Sequence, residues 1–401
     1  MKKKLLFVIN TLSQAGAETA LLGFLRKLDS REYEVFLYVL TGQGEMVGKL
    51  PGHVRLLNPV FSEQSVLTGK GRRVLMKTVL RSFVRNGRFF HKLFYTAANF
   101  AGMLKNRRIQ LDKLFWRVLS DGAERFESSF DLAAAWIEGG SVYYVADHVK
   151  ARRKIALIHT DYGNAGYTRA MDQDCFTKYT DILAVSEETK RHFLKIYPEH
   201  AARIAVFPNM FDHGFIRRRV REQGGFADGY QGFRILSVGR LVWQKGYDIA
   251  IDTMGILKKR EYDIRWYVLG EGDQKKVLAK KIRELQLEGD FVLLGQIENP
   301  YPYYAQADLY VHTARLEGKS IAIQEAQALG CAVIASDCKG NREQIEDGKN
   351  GILCKLTPYA VAEKIEELYL DGEKRKMLGK EAEKRAVSFE TELALFQKLM
   401  E

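Results

Sequence analysis

Two glutamates eight positions apart, Glu317 and Glu325, have the residue type and spacing to act on one ligand. Glu325 lies within a predicted helix that starts near Ser320, and Gly318 allows a tight turn from the preceding strand into that helix. The turn exposes N–H groups at the helix N-terminus, which carries roughly half a positive charge and binds anions. Because a carboxylate repels a phosphate, hydroxyl groups are the natural partners of Glu325. The alternative is an ordinary pair of surface glutamates.

Two cations occupy another predicted connection between a strand and a helix. Arg240 and Lys245 follow the apolar run Ile235–Val238. Arginine offers a planar fork for phosphate and lysine offers a point charge, and so the pair suits a diphosphate. The alternative is a solvated loop with two unrelated cations. No triad-like arrangement of a nucleophile and a base accompanies these residues.

The sequence does not predict a metal site. Asp172 and Asp174 have the Asp-x-Asp form that some transferases use to bind a metal, but we interpret their segment as solvated surface. The four cysteines have no zinc-ligand spacing, and their number and context favour a reduced, cytosolic compartment. They are Cys175, Cys331, Cys338 and Cys354.

The elements that position these residues follow a β-α-β pattern. Short apolar runs alternate with segments of helical period, which is typical of parallel sheets covered by helices on both faces. One series of apolar runs extends from Leu5–Ile9 to Ile182–Val185, and a second extends from Ile235–Val238 to Gly351–Leu353. The fold class is therefore α/β, with doubly wound, Rossmann-like sheets.

The length of 401 residues exceeds what one hydrophobic core usually supports, and so two domains are expected. Residues 217–231 are polar and glycine-rich, and they predict a linker between a first domain at 1–216 and a second at 232–385. We expect residues 386–401 to form a C-terminal helix that crosses back to the first domain.

Residues 70–117 interrupt this pattern with a helical period and no convincing strand. They contain thirteen Lys and Arg but one acidic residue, Asp112, and so carry the whole net charge of +12. The bland alternative is an insert that packs on the first domain with solvated basic residues; the other is a helix in a membrane interface or at an anionic acceptor. Steps of three and four predict one basic helix face, formed by Lys77, Arg81, Arg85, Arg88 and Lys92.

Taken in order, the motifs of the chain resemble those of the retaining family-four glycosyltransferases, which have the two-domain GT-B architecture with two Rossmann-like domains facing across a cleft. The resemblance covers nearly the whole chain. It depends on Gly16-Ala17-Glu18, a strand that ends at His159, Val206-Phe207-Pro208-Asn209, Val238-Gly239-Arg240 with Lys245-Gly246, the pair Glu317 and Glu325, Val333–Asp337, and Ile345–Gly351.

The resemblance implies a role for each charged residue. Arg240 and Lys245 would hold the donor diphosphate and stabilise the leaving nucleotide without a metal. Glu325 would bind the ribose hydroxyls, and Glu317 would contact hydroxyls of the donor sugar. His159 would contact the sugar or orient the acceptor, although a strand-end histidine bonded to a loop is the alternative.

The remaining donor contacts implied by the resemblance involve the backbone and one unusual lysine. Gly16 would let the backbone approach the donor closely because glycine has no Cβ. The base would lie near Gly295 and Gln296, and the N–H groups of Ser320 and Ile321 would face the phosphates. Lys319 stands where the family usually has a large apolar residue, and it would touch a phosphate or an acidic sugar. The expected donor-binding set is Gly16, Gly239, Gly295, Gln296, Gly318, Lys319, Ser320, Ile321 and Glu325.

The function implied is transfer of a sugar from a nucleoside-diphosphate sugar, a UDP-sugar, with retention of configuration and no metal or other cofactor. The acceptor would be lipid-linked or a surface polysaccharide, since the Glu-Gly-Lys-Ser variant is similar to bacterial capsule, exopolysaccharide and wall-polymer transferases. A nucleotide-sugar epimerase of the same fold is the alternative. A basic nucleic-acid-binding protein is a further alternative, but the sequence shows no nucleic-acid motif, and no nucleic-acid partner is expected.

No stretch of the sequence approaches the roughly 18 apolar residues that a membrane-spanning helix needs. The first residues imitate a signal peptide, but their apolar run stops at Asn10 and favours a buried strand. We therefore expect a cytoplasmic protein that attaches peripherally to an anionic membrane surface, at the inner face of the cell membrane.

Overall fold

The computed structural model of the chain describes residues 2–105, 109–163, 165–208, 213–385 and 389–400. It divides into two compact units, Met1–Met210 with Glu392–Glu401 and Phe211–Thr391. The division precedes the predicted linker at 217–231. The first residues of that segment continue the helix His213–Val220, whose Ile216 is buried in the core of the second unit.

The first unit contains a parallel sheet of seven strands in the order β3-β2-β1-β4-β5-β6-β7. Its interior strand β1 has the uninterrupted apolar run Leu5–Ile9, all of it buried, because helices cover both faces of the sheet. The edge strands β3 and β7 have three residues each: β3 is interrupted by Arg55, and β7 is a short apolar run. The strands are β1 Lys3–Ile9, β2 Tyr33–Val39, β3 Val54–Leu56, β4 Ser129–Ala135, β5 Lys150–Ile158, β6 Asp181–Ala184 and β7 Ile204–Val206.

Seven helices of the first unit precede the second unit in sequence. Helix α7 begins after Ser186, whose hydroxyl accepts a hydrogen bond from the N–H of Thr189 at 3.1 Å and so caps the helix N-terminus. The helices are α1 Gly16–Lys27, α2 Gly69–Val84, α3 Phe89–Lys105, α4 Leu111–Gly122, α5 Gly140–His148, α6 Arg169–Asp172 and α7 Glu187–Ile196.

Among the described residues of the predicted insert, 70–84, 89–105 and 111–117 are helical, but the single basic face is wrong. Helix α2 ends at Val84, and the turn into α3 bends the chain through Arg88, which has a φ of 56°. Lys92 is only 2% exposed, and its ammonium donates to the carbonyls of Ser82 at 2.7 Å and Arg85 at 2.6 Å. Lys92 thus satisfies carbonyls at the C-terminus of α2 and does not belong to a surface.

The interpretation of Asp172 and Asp174 as solvated surface is wrong for Asp172. Asp174 is exposed, but the carboxylate of Asp172 is completely buried. It accepts hydrogen bonds from the hydroxyls of Tyr143 at 2.7 Å, Tyr162 at 2.9 Å and Tyr197 at 2.5 Å. Asp172 therefore organises the core of the first unit.

The second unit contains a parallel sheet of six strands in the order β10-β9-β8-β11-β12-β13. The chain continues from β8 to one side and later returns to its other side at β11. The point between β8 and β11 is therefore the topological switch point, where open α/β sheets bind ligands at the carboxyl ends of their strands. The strands are β8 Phe233–Val238, β9 Ile264–Leu269, β10 Phe291–Gly295, β11 Leu309–His312, β12 Val333–Ser336 and β13 Ile352–Cys354.

Helices also connect the strands of the second unit, as the predicted β-α-β pattern requires. They are α8 His213–Val220, α9 Tyr247–Lys259, α10 Lys275–Glu284, α11 Tyr301–Gln306, α12 Ile321–Ala328, α13 Lys339–Arg342, α14 Pro358–Leu370 and α15 Gly372–Arg385.

Residues 392–400 of the last helix, α16 Phe389–Met400, belong to the first unit. The ring of Phe396 lies 4.6 Å from that of Phe24 and 6.2 Å from that of Phe7, measured between centroids. In the part of the chain that the structure describes, no helix is both long and apolar enough to cross a membrane.

Replacing Lys92 by methionine tests its capping role, because methionine keeps an apolar stem but donates no hydrogen bond. We expect a loss of roughly 1–3 kcal/mol in unfolding free energy, measured as a lower thermal midpoint in scanning calorimetry. Lys77→Met is the matched control, since Lys77 is exposed on α2. Equal midpoints for the two variants would contradict the capping role.

Candidate active site

The loops that follow β8 and β11 are joined directly at the switch point of the second unit. The N–H of Arg315 donates to the carbonyl of Gln244 at 2.8 Å, and the amide of Gln244 donates to the carbonyl of Leu316 at 2.8 Å. The hydroxyl of Thr313 donates to the carbonyl of Lys245 at 3.0 Å. These bonds bring Lys245 beside residues that lie about seventy positions later in sequence.

Gly246 fixes the direction in which the chain leaves Lys245. Its φ is +65°, and an added Cβ would lie 2.1 Å from the carbonyl oxygen of Thr313. Both constraints require glycine, because a side chain would force the two loops apart.

Lys245 and His312 bind the same carboxylate oxygen of Glu317. The Lys245 ammonium lies 2.5 Å from Oε2 of Glu317, and Nε2 of His312 lies 3.1 Å from it. An ionised carboxylate only accepts, and so we assign the proton of His312 to Nε2. Its Nδ1 then accepts from the hydroxyl of Tyr310 at 3.2 Å. The group is a chain of hydrogen bonds with one anion and one cation.

This arrangement determines the charges of its members. Burial alone would raise the pKa of Glu317, but the ammonium of Lys245 and the imidazole of His312 together lower that pKa to about 2. Burial and the nearby ammonium lower the pKa of His312 below its usual value, although Glu317 opposes this in part. At neutral pH Glu317 is therefore ionised and His312 is neutral.

Glu325 occupies a different electrostatic environment on α12. Ser320 caps this helix by accepting from the N–H of Ile323, and Glu325 is buried one turn further along. Its two carboxylate oxygens accept from the hydroxyls of Tyr301 at 3.3 Å and Tyr304 at 3.0 Å. Burial raises the pKa of Glu325 to about 7, because the tyrosine hydroxyls compensate only in part.

Comparison with known families agrees with this geometry. Residues 221–385 match the model of the family described as glycosyl transferases group 1. The second unit is a glycosyltransferase group 1 domain. For these residues the match agrees with the family to which the sequence motifs pointed, and the loops that carry Lys245 and Glu317 lie within the matched residues.

Two curated relatives resemble part of the chain. An N-acetylgalactosamine-N,N'-diacetylbacillosaminyl-diphospho-undecaprenol 4-alpha-N-acetylgalactosaminyltransferase of Campylobacter jejuni is 34% identical over 187 residues, which are 46% of this chain and 49% of that protein. The capsular polysaccharide biosynthesis glycosyltransferase CapM of Staphylococcus aureus is 25% identical over 214 residues, which are 51% of this chain and 56% of CapM. The chain thus spans about half the length of the curated relatives it matches.

A solved structure resembles the whole chain in fold. Anabaena Alr3699/HepE, in complex with UDP and glucose, has a TM-score of 0.70 at 18% identity, with 99% of each chain covered. The predicted GT-B class, with two Rossmann-like units, is confirmed at the level of the fold.

Most of the predicted donor-binding residues lie in the loops of the group 1 domain. Arg240 follows β8 and is exposed, and within the described residues its guanidinium forms no ion pair. Lys319 is half-buried between Glu317 and the start of α12. The backbone also packs closely here, since a Cβ at Gly340 would lie 2.0 Å from the carbonyl of Gly318. Gly239 follows β8, and Gly295 and Gln296 lie at the end of β10, two strands away on the same edge of the sheet.

Gly16 and His159 belong to the first unit. Gly16 is the first residue of α1. His159 follows β5, and its backbone N–H donates to Oε2 of Glu138 at 2.8 Å. Burial lowers the pKa of His159, its ring hydrogen-bonds the backbone of Trp136, and its Nε2 has no partner among the described residues. The imidazole is therefore neutral, and its Nε2 is buried.

Several functional partners were missing from the prediction. His312 ends a predicted strand next to Glu317, and a histidine in that position is the signal that could have identified it. Tyr301 and Tyr304 lie one turn apart on α11, but nothing in their local sequence relates them to Glu325. Glu138 resembles any other glutamate after an apolar strand. Among the residues described, no three His, Cys, Asp or Glu side chains gather as metal ligands would.

Removing the ammonium of Lys245 tests the buried ion pair. Lys245→Met leaves the carboxylate of Glu317 with the neutral His312 as a hydrogen-bond partner but without its cation, and we expect a loss of roughly 3–5 kcal/mol in unfolding free energy. In the double variant with Glu317→Gln, the loss should be smaller than the sum of the two single losses, measured by urea denaturation. Lys259→Met, on the exposed surface of α9, is the control. Additive losses would show that the two residues do not interact.

The raised pKa of Glu325 predicts a dependence of stability on pH. Protonation favours the folded state, and this stabilisation is present below the ordinary value of 4.5 and lost as the pH rises through about 7. Glu325→Gln cannot ionise. The difference between its thermal midpoint and that of the wild type should therefore shift in favour of the variant as the pH increases from about 5 to about 8. A constant difference across that range would contradict the shifted pKa.

Proposed function

We propose that the protein is a retaining glycosyltransferase that moves a sugar from a UDP-sugar to a lipid-linked or surface-polysaccharide acceptor. The observation that carries this proposal is the buried Lys245–Glu317 pair at the switch point of a group 1 domain, beside the N-terminus of α12. The Campylobacter jejuni relative is named for transfer to a diphospho-undecaprenol acceptor, and the Anabaena relative was solved with UDP and glucose. Both names support the proposed substrates.

The donor would be held by groups of complementary charge. The guanidinium of Arg240 and the ammonium of Lys245 bind the diphosphate. The N–H groups of Ser320 and Ile321, which have no partner within the helix, donate to the same phosphates. Lys319 adds a further cation beside them. The ribose hydroxyls donate hydrogen bonds to the carboxylate of Glu325, and the base lies along the backbone at the end of β10.

The reaction would proceed with retention of configuration at the sugar carbon. The acceptor hydroxyl attacks on the face that the nucleotide leaves, and a diphosphate oxygen takes the proton of that hydroxyl. The cations at Arg240 and Lys245 stabilise the negative charge on the departing nucleotide, and this is our proposal for catalysis without a metal or other cofactor. Glu317 remains ionised, and so it accepts from a sugar hydroxyl and stabilises positive charge on the ring.

His159 would supply an uncharged contact to the sugar or the acceptor. Because its ring bonds the backbone of Trp136, the free Nε2 of a neutral imidazole can accept from a hydroxyl. The acceptor is proposed to reach the enzyme at the inner face of the cell membrane, where the cations of α2, including Lys77 and Arg81, attract anionic lipid.

Replacing Arg240 tests the site without disturbing the fold, because its side chain is exposed. With UDP-glucose as the first donor and UDP-N-acetylglucosamine as the second, and with a polyprenyl-diphosphate sugar as the acceptor, Arg240→Ala should lower kcat/KM by roughly a hundredfold or more. Arg221→Ala removes another exposed cation of the same unit and should leave transfer unchanged. Equal turnover in the two variants would overturn the donor assignment.

The same incubation distinguishes the alternatives. Anomeric protons in the NMR spectrum of the product report retention, and an inverted product would overturn the proposed mechanism. Altered sugar stereochemistry in the absence of an acceptor would instead establish an epimerase. Salt-sensitive binding of nucleic acid, with no sugar transfer to any acceptor, would favour the basic binding protein.

A further inference from the structure

Helix α3 presents an unusually apolar face to solvent. Its inward side carries Lys92, Tyr95 and Met103, which are all buried. On the outward side, Phe90 is 82% exposed and Phe94 is 75% exposed. Soluble proteins rarely expose contiguous apolar surface of this kind without a function. The exposed apolar residues of the helix are Phe89, Phe90, Leu93, Phe94, Ala97, Ala98, Phe100, Ala101 and Leu104.

The spacing of these residues makes them one stripe. Positions 90, 94, 97, 101 and 104 repeat at intervals of three and four, which places them on one side of an α-helix. Of the three polar residues His91, Thr96 and Asn99, which lie between Phe90 and Leu104, His91 is exposed and the other two are half-buried. The outward side therefore offers almost no hydrogen-bonding group.

The apolar surface continues onto the neighbouring helix and is accompanied there by cations. In the last three turns of α2, Met76, Leu80 and Val84 are exposed and alternate with the exposed Lys77 and Arg81. No acidic residue occurs between positions 63 and 112 of the sequence. The hairpin of α2 and α3 thus combines an exposed apolar stripe with a purely positive charge.

We infer that the outward face of α3 inserts into the interfacial layer of an anionic lipid bilayer. The stripe would enter the boundary between head groups and acyl chains, while Lys77 and Arg81 of α2 lie at the level of the lipid phosphates. The helix has 17 residues, a length of about 25 Å, and it would lie parallel to the membrane plane. The inference rests on the proposed function and deepens its membrane partner, because it assigns the contact with lipid to one helix face.

A bilayer fits this surface better than a protein partner does. Protein interfaces carry about one hydrogen bond per 100–200 Å², and the stripe has almost no group to make them. A two-fold dimer through the same face would also bring the two sets of cations together with no acidic residue of the hairpin to balance them. Hydrocarbon requires no hydrogen bonds, and anionic lipids supply the opposite charge.

The experiment measures vesicle binding by the full chain, without donor or acceptor. Vesicles of phosphatidylcholine with phosphatidylglycerol should sediment the wild type, and part of the binding should persist at about 0.5 M NaCl, where charges are screened. Phe90→Ser with Phe94→Ser should weaken binding by roughly a hundredfold and abolish the salt-resistant part. Leu370→Ser, at a residue 73% exposed on α14 of the second unit, is the matched control and should bind as the wild type does.

Insertion is measured separately with Phe94→Trp. Lipids brominated along the acyl chain should quench its added fluorescence in the bound state, beyond the quenching of the wild type. Binding of the double serine variant equal to that of the wild type, or an added tryptophan that is not quenched on bound vesicles, would overturn the inference. Self-association of the wild type without lipid, lost in the serine variant, would identify a dimer interface instead.

These outcomes are independent of the proposed catalysis. Slow hydrolysis of the UDP-sugar requires no membrane, and so the serine variant should retain it. A protein that inserts but transfers no sugar would refute the proposed function alone, whereas one that transfers sugar to a soluble acceptor and does not insert would refute this inference alone.

Discussion

The ion pair between Lys245 and Glu317 is the constraint on which the candidate site depends. Two buried charges cost several kcal/mol unless they are paired and hydrogen-bonded, and the surrounding chain supplies those conditions. The loops after β8 and β11 are joined by main-chain and side-chain hydrogen bonds, Gly246 permits their close approach, and Arg315 forms an ion pair with Asp248 at 2.6 Å. The switch point of the sheet thus becomes a rigid support for one carboxylate and one ammonium.

The environment of each carboxylate follows from its neighbours. Glu317 is largely buried and Glu325 is buried in the same domain, yet the first has a cation beside it and the second has two tyrosine hydroxyls. The first is therefore held as an anion, and the second is close to the point of protonation at neutral pH. Two residues that look equivalent in sequence thus carry different charges, and a ligand that contacts both meets two different kinds of group.

The fold could be predicted largely from the sequence, since buried parallel strands leave continuous apolar runs such as Leu5–Ile9. The edge strands β3 and β7 could not, because Arg55 interrupts β3 and β7 has only three residues. The pairing of Lys245 with Glu317 could not be predicted from the sequence either, because this pairing depends on the order of the strands in the sheet. Lys92 shows the opposite error: its spacing matched a surface stripe, but a four-residue turn moved it into the interior.

The return of α16 to the first unit has a consequence for how the protein is made. The aromatic cluster of Phe7, Phe24 and Phe396 joins residues near the beginning of the chain to residues beyond the whole second unit. During synthesis the ribosome releases the first unit long before α16 is available, and so part of its apolar surface remains uncovered until α16 has been made. The second unit can finish folding earlier, although it begins later.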